Sequence, residues 1–209
     1  MSIFLIRHGE TIGNATRVVQ LPDNPLSPRG YAQAERLARR LASEGIAHIV
    51  SSDFARAAAT AETLRQTLDV PLSFDPMLQE RSFGDLRGTP YSALDFDMFA
   101  LDYAPPNGET WDVFHQRVDR AWARVQALAA ATPGHLAVVT HGLVCRSLAE
   151  RHLVLAAGDA APLKWENTSL TICKGPAPWP AATMQPAKRS PRRSMPRGVV
   201  FSQLSRSCW

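Results

Sequence analysis

Two histidines stand in matching surroundings. His8 closes the run Leu5-Ile6-Arg7-His8-Gly9, and His141 closes Val138-Val139-Thr140-His141-Gly142. In each, an apolar stretch of strand type runs into an imidazole and then a glycine. Parallel strands of one sheet end on a common edge, where open α/β folds bind ligands, so both imidazoles are expected in one crevice. Glycine beside each lets the backbone approach a ligand and present its N–H groups. Two arginines share this position: Arg7 beside His8, and Arg56 shortly after the strand end Ser51-Ser52. A guanidinium fork matches phosphate oxygens two at a time. Two such cations offset a phosphomonoester dianion and favour a neutral imidazole beside them, because nearby positive charge disfavours another cation. These residue types point to a phosphate-class anion held against uncharged histidine.

The elements that must position these groups alternate. Ile3 to Ile6 reads as a buried strand ending in an active loop. Ser27 and Pro28 start a helix, with Ala34, Leu37, Ala38 and Leu41 at helical spacing and Gly45 closing it. Residues 47–51 form a second strand, and Asp53 opens a second helix with Ala57, Ala61, Leu64 and Leu68 on one face. A weaker strand follows at 70–74. Residues 76–110, rich in Gly, Pro and aromatics, form a covering segment with a short helix near 91–102. Then come an amphipathic helix over 110–131, a strand at 136–140, a helix over 143–156 and a last strand at 168–173. Such alternation predicts an α/β fold, a mostly parallel sheet covered by helices on both faces.

Composition sets the limits. The chain has 209 residues, 45% apolar and 20% charged, which suits one soluble globular domain. No apolar run approaches the length of a membrane span, and the first residues are too short and wrongly flanked for a signal peptide. Cys145, Cys173 and Cys208 are odd in number and widely spaced, which suggests reduced thiols in a cytoplasmic protein. The net charge of +4 is uneven: residues 175–209 carry six basic residues and no acidic one, leaving 17 Lys+Arg against 19 Asp+Glu in residues 1–174. No nucleic-acid partner is therefore expected of the body. The basic, Pro/Arg-rich segment 175–209 lacks hydrophobic periodicity. It reads either as a disordered tail or as the product of a lost reading frame near residue 175. The catalytic domain is placed at 1–174. His48, His115, His135 and His152 lack the strand-His-Gly context, and no metal-binding or nucleotide-binding motif is present, so no metal and no cofactor is expected.

Four ordered segments carry a family resemblance. Arg7-His8-Gly9-Glu10-Thr11, Ser51-Ser52-Asp53-Phe54-Ala55-Arg56-Ala57 with Thr60-Ala61, Leu78-Gln79-Glu80-Arg81-Ser82-Phe83-Gly84 with Gly88, and Thr140-His141-Gly142 resemble the histidine phosphatase superfamily, also called phosphoglycerate mutase-like. The resemblance covers roughly residues 1–174. It implies a three-layer α/β/α sandwich and a phosphohistidine intermediate on His8. It further implies a phosphate pocket of Arg7, Arg56 and His141, and Glu80 as proton donor to the leaving alkoxide and then base toward water. A carboxyl facing a phosphate anion should have a raised pKa. Asn14 matches a polar pocket position or else is a turn or capping residue; Gly142 joins the phosphate-binding set.

Within this family, hydrolysis and mutase chemistry share the catalytic core. The segment from Glu80 to Glu109 offers only Arg81 and Arg87 as cations, beside Asp85, Asp95, Asp97 and Asp102, and is short for a mutase. Gln20-Leu21 stands where family members usually have a glycine after a polar residue. These features favour a small phosphatase acting on a small-molecule phosphomonoester. A cofactor-dependent phosphoglycerate mutase and a non-catalytic phospholigand-binding protein are the alternatives. Tyr91, Leu94, Phe96, Phe99, Tyr103 and Trp111 either line a leaving-group pocket or pack the covering segment. A homodimer is compatible with the sequence.

Overall fold

Strand β1 (Ser2–Arg7) is buried from both sides, and its alternation separates the layers. Ile3 and Leu5 face one apolar cluster, Phe4 and Ile6 the other. The computed structural model describes residues 1–155, 165–174 and 182–184. Parallel partners flank β1 in turn: β4 (His135–Thr140), then β2 (Ile46–Ser51), then the short edge strand β3 (Leu72–Phe74). On the other side β6 (Leu170–Lys174) runs antiparallel to β1, followed by β7 (Ala182–Met184) and β5 (Leu153–Leu155).

Helices cover both faces. Helix α2 (Pro28–Leu41) starts as expected: Ser27 Oγ accepts from Gly30 N at 3.0 Å, and Pro28 opens the first turn. Its buried stripe Ala34, Leu37, Ala38 and Leu41 joins Ala57, Ala61 and Leu64 of α3 (Ala55–Leu68) against Phe4, Ile6, Ile49, Ala137 and Val139. On the opposite face, α4 (Trp111–Ala131) and α5 (Gly142–His152) place Phe114, Val118, Val125, Val144 and Leu148 against Ile3, Leu5, Leu136 and Val138. The result is the three-layer α/β/α sandwich with a mostly parallel sheet.

Local details differ from the sequence reading. Asp53 does not cap α3; Phe54 is its N-cap, and Asp53 Oδ1 instead accepts from Gln79 Nε2 at 2.7 Å. Helix α2 stops at Leu41, and Gly45 adopts φ +69° in the turn that enters β2. No helix spans 91–102. A single 3-10 turn at Tyr91–Ala93 occurs there, because Val19, Phe83 and Met98 gather Tyr91, Leu94, Phe99 and Tyr103 into a cluster of their own. The 143–156 helix ends at His152 and passes into β5. Of the segment 175–209, only Ala182–Met184 is among the described residues, as β7; the expectation for the rest lies outside them.

Helix α2 and the loop after β1 touch at Gly30. A Cβ there would lie 2.0 Å from the carbonyl oxygen of Glu10, whereas Ser27 N already donates to that oxygen at 2.8 Å. Helix propensity alone would make Gly30→Ala stabilising by ~0.5–1 kcal/mol. The backbone clash reverses the sign. Gly30→Ala is expected to lower unfolding free energy by ~1–3 kcal/mol, read from urea titration of the parent and variant.

Candidate active site

The parallel register sets Arg7 opposite Thr140 and Ser51 opposite Val139, so three strand ends open on one edge. His8 N donates to Thr140 O and Ser52 N to Val139 O, both at 2.9 Å, which carries the pairing one residue past each strand. His8 and His141 thus meet, ring centroids 5.1 Å apart.

His8 is only 2% exposed. Its Nδ1 lies 2.7 Å from the Gly9 carbonyl oxygen, which can only accept, so Nδ1 carries the hydrogen and Nε2 keeps the lone pair. Burial first, then Arg56 and Arg7, hold its pKa well below the usual 6.5. The loop is fixed from behind: Gly9 N donates to Thr60 Oγ1 at 3.0 Å, and that hydroxyl donates to Arg56 O at 2.7 Å.

His141 is fully buried and stands at the N-cap of α5. Its Nε2 is 2.9 Å from Ser52 Oγ, and its Nδ1 has no partner among the described residues. Burial, then Arg56, keep it neutral as well. Arg7 donates from Nη1 to the Trp165 carbonyl and packs on Gly142, where a Cβ would sit 3.5 Å from its Cζ. Arg56 is 2% exposed, lies over the Phe54 ring at 5.1 Å and donates from Nη1 to Leu21 O at 2.9 Å. Burial lowers its pKa to about 10. Among the described residues, Arg7 Nε and Arg56 Nε are buried without partners, as is His141 Nδ1. An orphaned buried polar group costs ~1–3 kcal/mol, so two guanidinium N–H donors and an imidazole nitrogen left so around one pair of histidines mark a place suited to an oxyanion.

Glu80 closes the ring of groups. Its Oε1 accepts from Arg81 N at 3.0 Å and its Oε2 from Leu143 N, in the first turn of α5, at 3.2 Å. Those bonds, with Arg56 and Arg7, favour the carboxylate; burial opposes them and prevails, so the pKa is raised above 4.5. Asn14 serves as a cap: it forms a capping box with Thr11 in the short helix α1 (Ile12–Thr16). Its Oδ1 also accepts from Asn167 Nδ2 at 3.1 Å, which leaves the Asn14 amide N–H groups for the cavity it lines.

That cavity, of about 260 Å³, is lined by Arg7, His8, Asn14, Arg56, Glu80 and Gly142, with His141 buried beside His8. Every site residue expected from the sequence is therefore in or against one cavity. Tyr91 and Phe99 line it too, whereas Trp111 joins the core under α4 and Tyr103 packs the covering segment. The sequence reading missed Ser52 as the orienting partner of His141, and it missed Arg146, Trp165 and Asn167. Ser52 sat in a quoted motif and was legible in principle; Trp165 and Asn167 lie in an irregular stretch with no local signal. Among the described residues, no group of three or more His, Cys, Asp or Glu is placed to hold a metal ion.

A sheet edge that presents two neutral histidines, two desolvated arginines and a carboxyl of raised pKa defines a phosphate-handling α/β protein. The histidine phosphatase superfamily (branch 1) matches residues 3–177, and the chain belongs to that family. A probable phosphoglycerate mutase GpmB of Yersinia pestis (strain Pestoides F) is 30% identical over 193 residues, 87% of this chain and 89% of its own. A mycobacterial glucosyl-3-phosphoglycerate phosphatase, solved with VO3, superposes with a TM-score of 0.73 at 25% identity, over 88% of this chain and 96% of its own. A putative alpha-ribazole-5'-P phosphatase from Escherichia coli K-12 gives a TM-score of 0.71 at 27% identity, over 88% and 94%.

The opposed shifts set a pH dependence. A site that works with neutral His8 and protonated Glu80 gains activity as pH rises through the His8 pKa, below 6.5, and loses it as pH rises through the Glu80 pKa, above 4.5. Profiles of kcat/KM against pH should show both limbs in the parent, and Glu80→Gln should lose the falling one. A falling limb that survives that substitution unchanged belongs to another group.

Proposed function

We propose that the protein is a phosphomonoester hydrolase that works through a phosphohistidine on His8, without a metal ion. The observation that carries this reading is the fixed tautomer of His8: Nδ1–H is tied to the Gly9 carbonyl, the ring is neutral, and Nε2 is left with its lone pair beside Arg7 and Arg56. Nε2 attacks phosphorus and the ester oxygen departs, taking the proton of Glu80. Arg7, Arg56 and His141 stabilise the charge spread over the equatorial oxygens. The Glu80 carboxylate then accepts a proton from water, the resulting hydroxide attacks phosphorus, and His8 leaves neutral. Glu80 ends protonated, ready for another ester.

One observation favours a second reading, phosphoglycerate mutase chemistry. Arg87 lines the cavity and has no carboxylate partner among the described residues, which suits a second anionic group on the substrate. It is the sole such cation from the covering segment, however. Arg81 spends its guanidinium on the carbonyls of Glu109 and Tyr103, at 3.0 and 2.7 Å, and lies over Trp111 at 4.2 Å. Holding a bisphosphate through reorientation asks for more than one free cation, so hydrolysis is preferred.

Turnover of p-nitrophenyl phosphate should be unaffected by EDTA and should fall on the order of 10³-fold or more in His8→Ala. Rapid quench with radiolabelled substrate should trap an acid-labile phosphoryl group on the parent and none on the variant. Loss of turnover in EDTA, or equal turnover by His8→Ala, would refute the proposal. Interconversion of phosphoglycerates that depends on 2,3-bisphosphoglycerate and outruns hydrolysis would replace it with the mutase reading.

A further inference from the structure

Glu80 sits on a stretch without regular hydrogen bonding, between 3-10 turns at Pro76–Leu78 and Gly84–Leu86. The four backbone carbonyls from Met77 to Glu80 are nonetheless all engaged. Arg117, on α4, donates from Nη1 to Met77 O and Gln79 O, each at 2.8 Å, and from Nη2 to Glu80 O at 3.3 Å. The remaining carbonyl, Leu78 O, accepts from Thr140 Oγ1 at 2.7 Å, the residue just before His141. One guanidinium therefore holds three of four consecutive carbonyls.

Its other edge meets Glu109. Arg117 Nε and Nη2 donate to Glu109 Oε1 and Oε2 at 2.8 and 2.7 Å, and both side chains are about 15% exposed. Glu109 also reaches across to the far side of Glu80: its Oε2 accepts from Ser82 N at 2.8 Å, and its own N–H donates to Ser82 O at 2.8 Å. Arg117 grips the chain before and at Glu80, and Glu109 grips it two residues after. By contrast, among the described residues the Glu80 carboxyl is held only by the N–H groups of Arg81 and Leu143.

We propose that the largely covered Arg117–Glu109 pair is a positioning device for Glu80, setting the distance from its carboxyl to the departing ester oxygen. This rests on the reading of Glu80 as general acid. The pair touches no reacting atom. It fixes the main chain from which the acid reaches, in a step where ~1 Å of misplacement costs about 10²-fold. A lysine supplies charge at position 117 but no planar fork, so it cannot hold three carbonyls and a carboxylate together.

The test uses leaving-group dependence. Phenyl, p-nitrophenyl and 2,4-dinitrophenyl phosphates differ in how much the departing phenolate needs a proton, and kcat/KM covers the steps through its departure without later hydrolysis of the phosphoenzyme. Glu80→Gln should steepen the fall of log kcat/KM with leaving-group pKa. Arg117→Lys should steepen it likewise, with phenyl phosphate losing about 10²-fold and the dinitrophenyl ester about tenfold less than that. The double variant should be no steeper than Glu80→Gln. Glu109→Gln reads the same clamp should Arg117→Lys fail to fold, with thermal unfolding followed in parallel. A single common loss across all three esters in Arg117→Lys and Glu109→Gln, with Glu80→Gln steepened, overturns the positioning role while leaving the acid in place. A parent-like slope in Glu80→Gln overturns the acid reading and the positioning role with it, whereas the trapped phosphohistidine on His8 stands or falls separately.

Discussion

The register between β1 and β4 is the constraint from which the site follows. With Arg7 opposite Thr140, the next residue on each strand is a histidine, and the two rings are bound to be neighbours. Burial on both faces enforces that register. Ile3 and Leu5 belong to one cluster and Phe4 and Ile6 to the other, so a one-residue slip would send each set to the wrong layer. The site thus inherits its geometry from core packing, and no loop has to find its place for His8 and His141 to meet.

The same burial makes the electrostatics. Two arginines and two histidines are withdrawn from water in one place, with one carboxyl nearby and that one pushed toward its neutral form. Cations and unpaired donors so placed oppose folding. The sandwich tolerates them because Leu5, Ile6, Val138 and Val139 are completely buried just beneath them. An oxyanion would recover the lost interactions, so ground-state cost and ligand affinity have one source.

How much of this was legible in the sequence depends on the range of the interaction that decides each feature. Helix α2 could be read from Ser27, Pro28 and its apolar stripe, all local, and the structure agrees. The strand-His-Gly repeats and Arg56 could be read because the edge of a parallel sheet is a topological consequence of alternation. The 91–102 segment could not, because its course is decided by Val19, about seventy residues earlier, and by Phe83. Asp53 looked like a cap and is taken by Gln79 instead, a partner 26 residues on. Trp165 and Asn167 meet Arg7 and Asn14 from 158 and 153 residues away in sequence, beyond any local signal.

Glu80 shows why position and proton affinity must be solved together. Two backbone N–H groups on its oxygens fix its orientation, yet each such bond favours the anion, which could no longer donate a proton. Burial outweighs them and shifts the balance toward the acid form. A carboxyl restrained more tightly through its own oxygens would gain precision and lose its proton. Restraint through the main chain avoids that conflict, since bonds to the carbonyls of Met77, Gln79 and Glu80 leave the carboxyl oxygens untouched. A carboxyl on an irregular segment can then be placed without being drawn further toward its anion.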